Sequence, residues 1–217
     1  MKILTPISSL VLISLVLAGC ASKPLAPDWQ GNAYSAIDSF TSTYLKGNTR
    51  TAELDFARAR TEISSTGRAD LLARAELVRC AVRVASLEFD DCAGYQPLAA
   101  SASNAGRTYA AYLTAHWQDI DVSLLPVQHR AMLASSGTPV STIEDPLALL
   151  IAAGVLLQNG RLTAADMVAA TEVASAQGWR RPLLAWLGVQ MKGAREKGDA
   201  AEIVRLQRRI DLVLGAL

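Results

Sequence analysis

Three cysteines and two histidines are the side chains of this 217-residue sequence best suited to nucleophilic, redox or metal chemistry. They are Cys20, Cys80, Cys92, His116 and His129. A zinc site needs His, Cys or carboxylate ligands clustered at recognisable spacing. The best local group, His116 with Asp119 and Asp121, lacks a second histidine. We therefore interpret His116 as a residue of a surface loop and predict no metal site.

Cys80 is a candidate nucleophile, because flanking Arg79 and Arg83 could lower its thiol pKa, but a disulfide or a packed thiol is the favoured interpretation. No histidine lies nearby in sequence to act as its base. Phosphate-binding glycine loops and a Gly-x-Ser-x-Gly elbow are both absent from the sequence. The sequence therefore predicts no cofactor and favours a non-enzymatic protein. A hydrolase with two opposed carboxylates stays open as an alternative, since 20 acidic residues could supply such a pair.

Cys20 lies at the end of an apolar segment near the amino terminus. Lys2 precedes residues 7–17, an apolar run interrupted only by serines, and small residues follow it. This layout is typical of a secretory signal peptide. The run falls short of the roughly 20 apolar residues that span a bilayer, so a membrane anchor or a buried first helix is the less favoured alternative. The stretch Leu17-Ala18-Gly19-Cys20 resembles the lipobox of bacterial lipoproteins.

The lipobox resemblance implies cleavage between Gly19 and Cys20 and a diacylglycerol on the Cys20 sulfur. It also implies a third acyl chain, such as palmitate, on the new amino group. Two or three chains would hold the protein on a membrane without a spanning helix. In that family an Asp after the cysteine retains the protein at the inner membrane. Ala21 and Ser22 stand there instead, which favours the outer membrane, with the body facing the periplasm.

The net charge and the number of cysteines indicate which class of partner and which cell compartment fit this sequence. Removal of residues 1–19 takes away Lys2 alone, leaving 20 basic and 20 acidic side chains. A neutral mature chain has no electrostatic reason to bind nucleic acid. Cys80 and Cys92 would then lie in an oxidising compartment, either as a disulfide or as two buried thiols.

A bridge between Cys80 and Cys92 places a condition on the helix that carries Cys80. One helix through both residues would separate their sulfurs by about 18 Å at 1.5 Å per residue. A disulfide needs Cα atoms within about 7 Å. The bridge therefore requires the helix to end near Phe89 and the chain to turn back at Asp90-Asp91.

Apolar residues recur at helical spacing along the mature chain, which predicts an all-α fold. One apolar stripe extends over residues 71–89. Residues 147–157 contain no polar side chain and predict a helix at the centre of the core, beginning at Asp145-Pro146. Residues 135–142 have loop composition. We therefore expect a signal peptide at 1–19, a lipidated tether at 20–28, an N-terminal helical half at 29–134 and a C-terminal half at 141–217 packed on it.

One segment suggests helical repeats. The pattern Gly47-Asn48-x₃-Ala52-x₃-Phe56-x₂-Ala59 resembles the second half of a tetratricopeptide repeat. Its Ala-x₃-Phe element recurs 33 residues later, in residues 85–89. The resemblance implies an array of antiparallel helical hairpins. The family's Trp and Leu-Gly are missing before Gly47, so an irregular helical bundle is the alternative.

Tryptophans supply candidate binding surfaces, because large amphipathic side chains are enriched at interfaces. The four are Trp29, Trp117, Trp179 and Trp186, which we place at element ends. His116-Trp117 and Trp179-Arg180-Arg181 are the candidate surfaces for a protein partner, with ordinary packing at the rim of the core as the alternative. The expected function is that of an envelope lipoprotein acting as a non-enzymatic docking module. The alternatives are a periplasmic hydrolase acting on an envelope substrate such as peptidoglycan, and a passive structural component.

Overall fold

A computed structural model describes residues 27–118, 120–134 and 137–215. The predicted signal peptide, Cys20 and most of the predicted tether lie outside these residues. The described part is all-α, as predicted, with no β-strand. Its nine helices are α1 (Asp28–Leu45), α2 (Thr49–Ser64), α3 (Ala69–Ala85), α4 (Asn104–Leu113), α5 (Val127–Ala134), α6 (Pro146–Gln158), α7 (Ala164–Ala176), α8 (Arg180–Lys197) and α9 (Ala200–Leu214).

Short 3₁₀ helices lie between several of these elements, at Gln96–Ser101, Val122–Leu124 and Val140–Thr142. Neighbouring α-helices pack as antiparallel hairpins: α1 with α2, α6 with α7, α7 with α8, and α8 with α9. Within the described ranges, no helix combines the length and the apolar character needed to cross a membrane.

The α1–α2 hairpin is held by aromatic and small residues on facing sides. The Phe40 and Phe56 rings are fully buried with centroids 5.0 Å apart. Ala36, Ala52 and Ala59 are also fully buried. Their small side chains let the two backbones approach while the aromatic rings fill the remaining space. This is the hairpin on which the resemblance to tetratricopeptide repeats was based.

Helix α6 lies at the centre of the molecule, as its apolar sequence predicted. It packs against α3, α4, α5 and α7 and has nine buried residues. The Asp145 side chain accepts a hydrogen bond from the Ala148 N–H, and Pro146 stands at the first turn. A Cβ atom on Gly154 would lie 2.5 Å from the carbonyl oxygen of Val84, so this glycine allows α3 and α6 to meet backbone to backbone.

One apolar core extends across residues of both predicted halves. A single apolar cluster extends from Ala73 in α3 to Leu206 in α9. Val140, in the segment with loop composition, is fully buried, and its N–H donates to the buried Asp166 carboxylate at 2.9 Å. Asp166 also forms a capping box with Thr163 at the start of α7. One carboxylate therefore fixes this loop and begins α7.

Helix α3 ends earlier than its apolar stripe predicted. It ends at Ala85, Leu87 adopts a left-handed φ of 58°, and Phe89 is 43% exposed instead of packed on the stripe. The chain then turns back, and Cys80 and Cys92 form a disulfide with Cα atoms 5.1 Å apart. Residues 86–95, called the disulfide loop below, interrupt the regular succession of hairpins.

Candidate functional site

Trp117 and His116 follow α4 at a tight turn, where Ala115 has a φ of 58°. The Trp117 ring is half-buried against the main core, and its Nε1 donates to the Tyr112 carbonyl at 3.4 Å. The Arg161 guanidinium lies over this ring, 5.1 Å from its centroid. His116 is exposed, with its Nδ1 2.9 Å from the Thr114 hydroxyl. Trp117 is therefore a packed residue, and His116 is the accessible member of the pair.

Trp179, Arg180 and Arg181 open α8 but face different surroundings. Trp179 is half-buried and packs against two apolar clusters, while Arg180 is exposed. Arg181 donates to the Glu88 carboxylate at 2.9 Å and to the Tyr44 carbonyl at 2.8 Å. Its guanidinium also lies 4.1 Å from the centroid of the Tyr44 ring. Arg181 therefore ties α8 to α1 and the disulfide loop.

The other two tryptophans differ in how far their side chains are buried. Trp186 lies within α8 and is fully buried, so our placement of it at an element end was wrong. Trp29 lies in the first turn of α1 and is half-buried. The candidate surfaces thus contribute mainly His116 and Arg180 to the exterior.

Glu88, which sequence reasoning did not single out, accepts hydrogen bonds from two remote helices. The Tyr44 hydroxyl donates to it at 2.6 Å, and Arg181 donates to its other oxygen. Burial and the neighbouring Glu88 carboxylate together raise the pKa of Tyr44 above its ordinary value. Arg83 lies 3.8 Å from the same carboxylate. The disulfide loop therefore carries a charged junction between the two ends of the fold.

His129 is buried beside two tyrosines and is 1% exposed. Its Nδ1 lies 3.2 Å from the Tyr112 hydroxyl, and the Tyr109 ring stacks against it at 6.0 Å. Burial lowers the pKa of His129 to about 4, although the charge of Asp145 acts in the opposite direction. Its position in the core had a sequence signal: Leu125, His129 and Met132 recur at helical spacing, and all three are buried.

A small pocket of about 240 Å³ adjoins the disulfide and is lined by charged residues that form ion pairs, some of them with residues outside the pocket. Glu76 is buried and forms an ion pair with Arg60. Arg79 pairs with Glu53 at 2.8 Å, and Arg83 lies 3.5 Å from Asp90. The charged groups named here therefore each have an ion-pair partner, although the buried Nε of Arg83 has no hydrogen-bond partner among the described residues.

The larger concave surface is an apolar groove of about 690 Å³ between α3, α4 and the 3₁₀ turn Val122–Leu124. We call it the α3–α4 groove. Its floor includes the buried side chains of Ala73, Leu77 and Leu125. Leu71 and Tyr109 form partly exposed walls, and its edge carries Leu124, which is 37% exposed. A cleft of this volume lined by apolar groups falls within the range of ligand and peptide sites.

Small residues keep the α3–α4 groove open. Ala73 on α3 and Ala102, Ala105 and Gly106 at the start of α4 all line it. Because these residues are small, the two helices can lie close to each other while the space above the groove floor stays unfilled. Sequence reasoning missed the groove because its walls come from three separated segments, and alanines within helices ordinarily indicate packing.

Neither the metal-ligating side chains of the described residues nor a related protein indicates what binds in the α3–α4 groove. The described ranges contain no group of three or more His, Cys, Asp or Glu side chains able to hold a metal ion. No protein-family model, no curated protein and no solved structure matches the chain.

Proposed function

We propose that this chain is an envelope lipoprotein, anchored through Cys20, whose helical body is a non-enzymatic docking module for another protein. The observation that carries the proposal is the α3–α4 groove, an open apolar surface of about 690 Å³. Concave surfaces of this volume with mostly apolar linings are where proteins ordinarily bind their ligands and peptides. A passive structural component has no need of such a cleft.

The anchor limits where docking takes place. After cleavage at Cys20 the acylated residue is only eight positions from Asp28, where α1 begins. A fully extended chain of that length reaches at most about 28 Å. The start of α1 lies near the groove, since Ala33 and Ala75 share an apolar cluster against which Leu71 of the groove wall packs. The proposed partner is therefore one that is present close to the membrane surface.

Contacts of the buried ionisable groups favour docking over hydrolysis. A hydrolase needs titratable groups that converge on a cleft. Glu76 is instead paired with Arg60, and Asp166 accepts from the backbone of Val140 and from Thr163. His129 faces a tyrosine hydroxyl inside the core. These groups have structural partners.

Site-specific photo-crosslinking in living cells tests the docking proposal. A benzophenone amino acid replaces Ala105, which is exposed in the groove, and in a second strain it replaces Val127, which is 73% exposed outside the groove. We expect a defined cross-linked protein from position 105 and none from position 127. Recovery of no specific protein from position 105 would refute the docking module.

Mass analysis of the purified protein tests the anchor separately. The expected amino-terminal residue is Cys20 carrying acyl chains, and Cys20→Ala should leave an unprocessed chain without them. Wild-type material that begins at Met1 and carries no fatty chains would contradict the anchor and the assigned compartment.

A further inference from the structure

Arginines at the edge of the α3–α4 groove give it a positive rim. Arg68 and Arg74 on the α3 side both line the groove. Arg68 is paired with Asp70 at 2.7 Å, which offsets its charge. Arg74 is exposed, and in the described part of the chain no carboxylate lies within ion-pairing distance of it. One guanidinium is therefore available beside the apolar floor.

A third guanidinium does not line the groove itself but is hydrogen-bonded to a residue of the groove floor. Arg130 donates from Nε to the Leu125 carbonyl at 2.8 Å, and Leu125 forms part of the floor. Asp121 is the acidic neighbour on this side, and its carboxylate accepts from the Ser123 N–H and hydroxyl. Among the described residues of the rim, these three arginines outnumber the two aspartates by one, which leaves an excess positive charge. An acidic ligand would be attracted to it.

The walls of the groove determine the form of that ligand. They are made of α3, α4 and a 3₁₀ turn, whose backbone groups bond within their own elements, so no free strand edge is offered for β-augmentation. Recognition must then occur through side chains, as when an amphipathic helix occupies an apolar groove. The α3 wall extends from Leu71 to Val78, about 10 Å of helix at 1.5 Å per residue. That length matches two turns of a bound helix.

We propose that the α3–α4 groove binds an acidic amphipathic helix of a partner protein. Two or three large apolar side chains, spaced at i, i+3 or i+4, and i+7, occupy the floor, and flanking Glu or Asp residues pair with Arg74 and Arg130. The inference rests on the proposed docking function and names the partner chemistry of that same surface.

Two synthetic helical peptides serve as probes. Both carry leucines at i, i+4 and i+7; one has glutamates at the flanking positions and the other has lysines. Each labelled peptide is titrated with the full acylated chain in nanodiscs, and binding is read by fluorescence anisotropy. We expect the glutamate peptide to bind at least about tenfold more tightly than the lysine peptide, which corresponds to about 1.4 kcal/mol.

Three variants localise the binding. Leu124→Asp should weaken binding of the glutamate peptide about tenfold or more. The new aspartate places a negative charge, like that of the peptide, at the apolar edge of the groove. Arg74→Glu should reduce or reverse the preference between the peptides. Val127→Asp is the matched control, since it adds the same charge three residues away and outside the groove, and it should change nothing. Circular dichroism compares the fold of each variant with that of the wild type. Because Arg74 is exposed, Arg74→Glu should stay folded and remains informative if Leu124→Asp unfolds.

Equal binding of the two peptides, no binding of the glutamate peptide, or insensitivity to both Leu124→Asp and Arg74→Glu would overturn the inference. Binding of phosphatidylglycerol vesicles through Leu124 in place of the peptide would also overturn it. The two proposals fail separately. A cross-link from position 105 without peptide binding refutes the acidic-helix chemistry alone, whereas peptide binding without any cellular cross-link refutes the docking function.

Discussion

The guanidinium of Arg181 donates a hydrogen bond to the carboxylate of Glu88 at 2.9 Å, although the two residues are 93 positions apart. The same guanidinium donates a hydrogen bond to the Tyr44 carbonyl oxygen, and the Tyr44 hydroxyl donates one to the Glu88 carboxylate at 2.6 Å. Helix α8, helix α1 and the disulfide loop thus meet at one small charged junction. Because these contacts are partly shielded from water, they contribute more to stability than the exposed ion pairs of this chain.

Replacement of Arg181 by Ala should therefore destabilise the protein. We expect the free energy of unfolding to fall by about 1.5 to 3 kcal/mol, since a charge-assisted hydrogen bond is lost and Glu88 is left without its partner. A double-mutant cycle with Glu88→Gln, measured by urea unfolding, should give a coupling energy of about 1 kcal/mol or more. Arg205→Ala, which breaks the exposed pair with Glu202, is the control and should cost less than about 1 kcal/mol. Equal costs at positions 181 and 205 would contradict the junction.

Loss of the disulfide should both destabilise the fold and weaken this junction. Cys80 and Cys92 close a loop with a sequence separation of 12, for which chain entropy predicts about 3 kcal/mol of stabilisation. We expect a Cys80→Ala/Cys92→Ala variant to unfold at lower urea concentration. The coupling between Arg181 and Glu88 should also shrink in that background, because the loop that holds Glu88 is released.

Reductant supplies the control for the disulfide prediction. It should lower the urea midpoint of the wild-type protein and leave that of the double-alanine variant unchanged. Mass analysis of unreduced protein gives an independent measurement, and free thiols at both Cys80 and Cys92 would contradict the bridge.

Local sequence signals predicted α6 correctly because each signal acts within its own element. The Asp145-Pro146 start and the apolar run that follows it both lie within that helix or at its amino-terminal end. The end of α3 was predicted four residues too late. Apolar spacing continued to Phe89, but the disulfide between Cys80 and Cys92, a tertiary constraint, turns the chain before that residue.

The candidate site was harder to predict from sequence than the helices. Arg181 was selected as an exposed residue beside a tryptophan, yet its partners Glu88 and Tyr44 are 93 and 137 positions away. No local pattern reports such a pairing. The α3–α4 groove was also not foreseen, because a cavity depends on how far apart helices lie, and alanine spacing alone does not fix that separation.

His129 should make the protein less stable in mildly acidic solution. Its pKa in the folded protein is about 4, below the ordinary 6.5, because burial disfavours the charged ring. Above pH 6.5 the ring is neutral in both states. Between pH 6.5 and 4 the unfolded chain binds a proton that the folded chain does not, so the free energy of unfolding falls as pH falls, by up to about 3 kcal/mol.

Urea unfolding at several pH values between 4 and 7 measures this dependence. A His129→Phe variant should lose the histidine component of the slope in that window, whatever its stability at pH 7, since phenylalanine does not titrate. His116→Phe is the matched control, because that ring is exposed, and it should retain the wild-type slope. An unchanged slope in His129→Phe would show that other groups cause the acid sensitivity.

Gly154→Ala should destabilise the protein even though alanine is the better helix former. The added Cβ would lie 2.5 Å from the Val84 carbonyl oxygen, so α3 and α6 would have to separate at the centre of the core. Overpacking of this kind costs about 1 to 3 kcal/mol, which exceeds the gain of up to about 1 kcal/mol in helix propensity. Gly188→Ala in α8 is the matched control: nothing lies within 4 Å of its Cβ position, so the propensity gain should raise the free energy of unfolding. Urea unfolding of the two variants should therefore give shifts of opposite sign, and a stabilised Gly154→Ala protein would mean that α3 and α6 do not meet at this glycine.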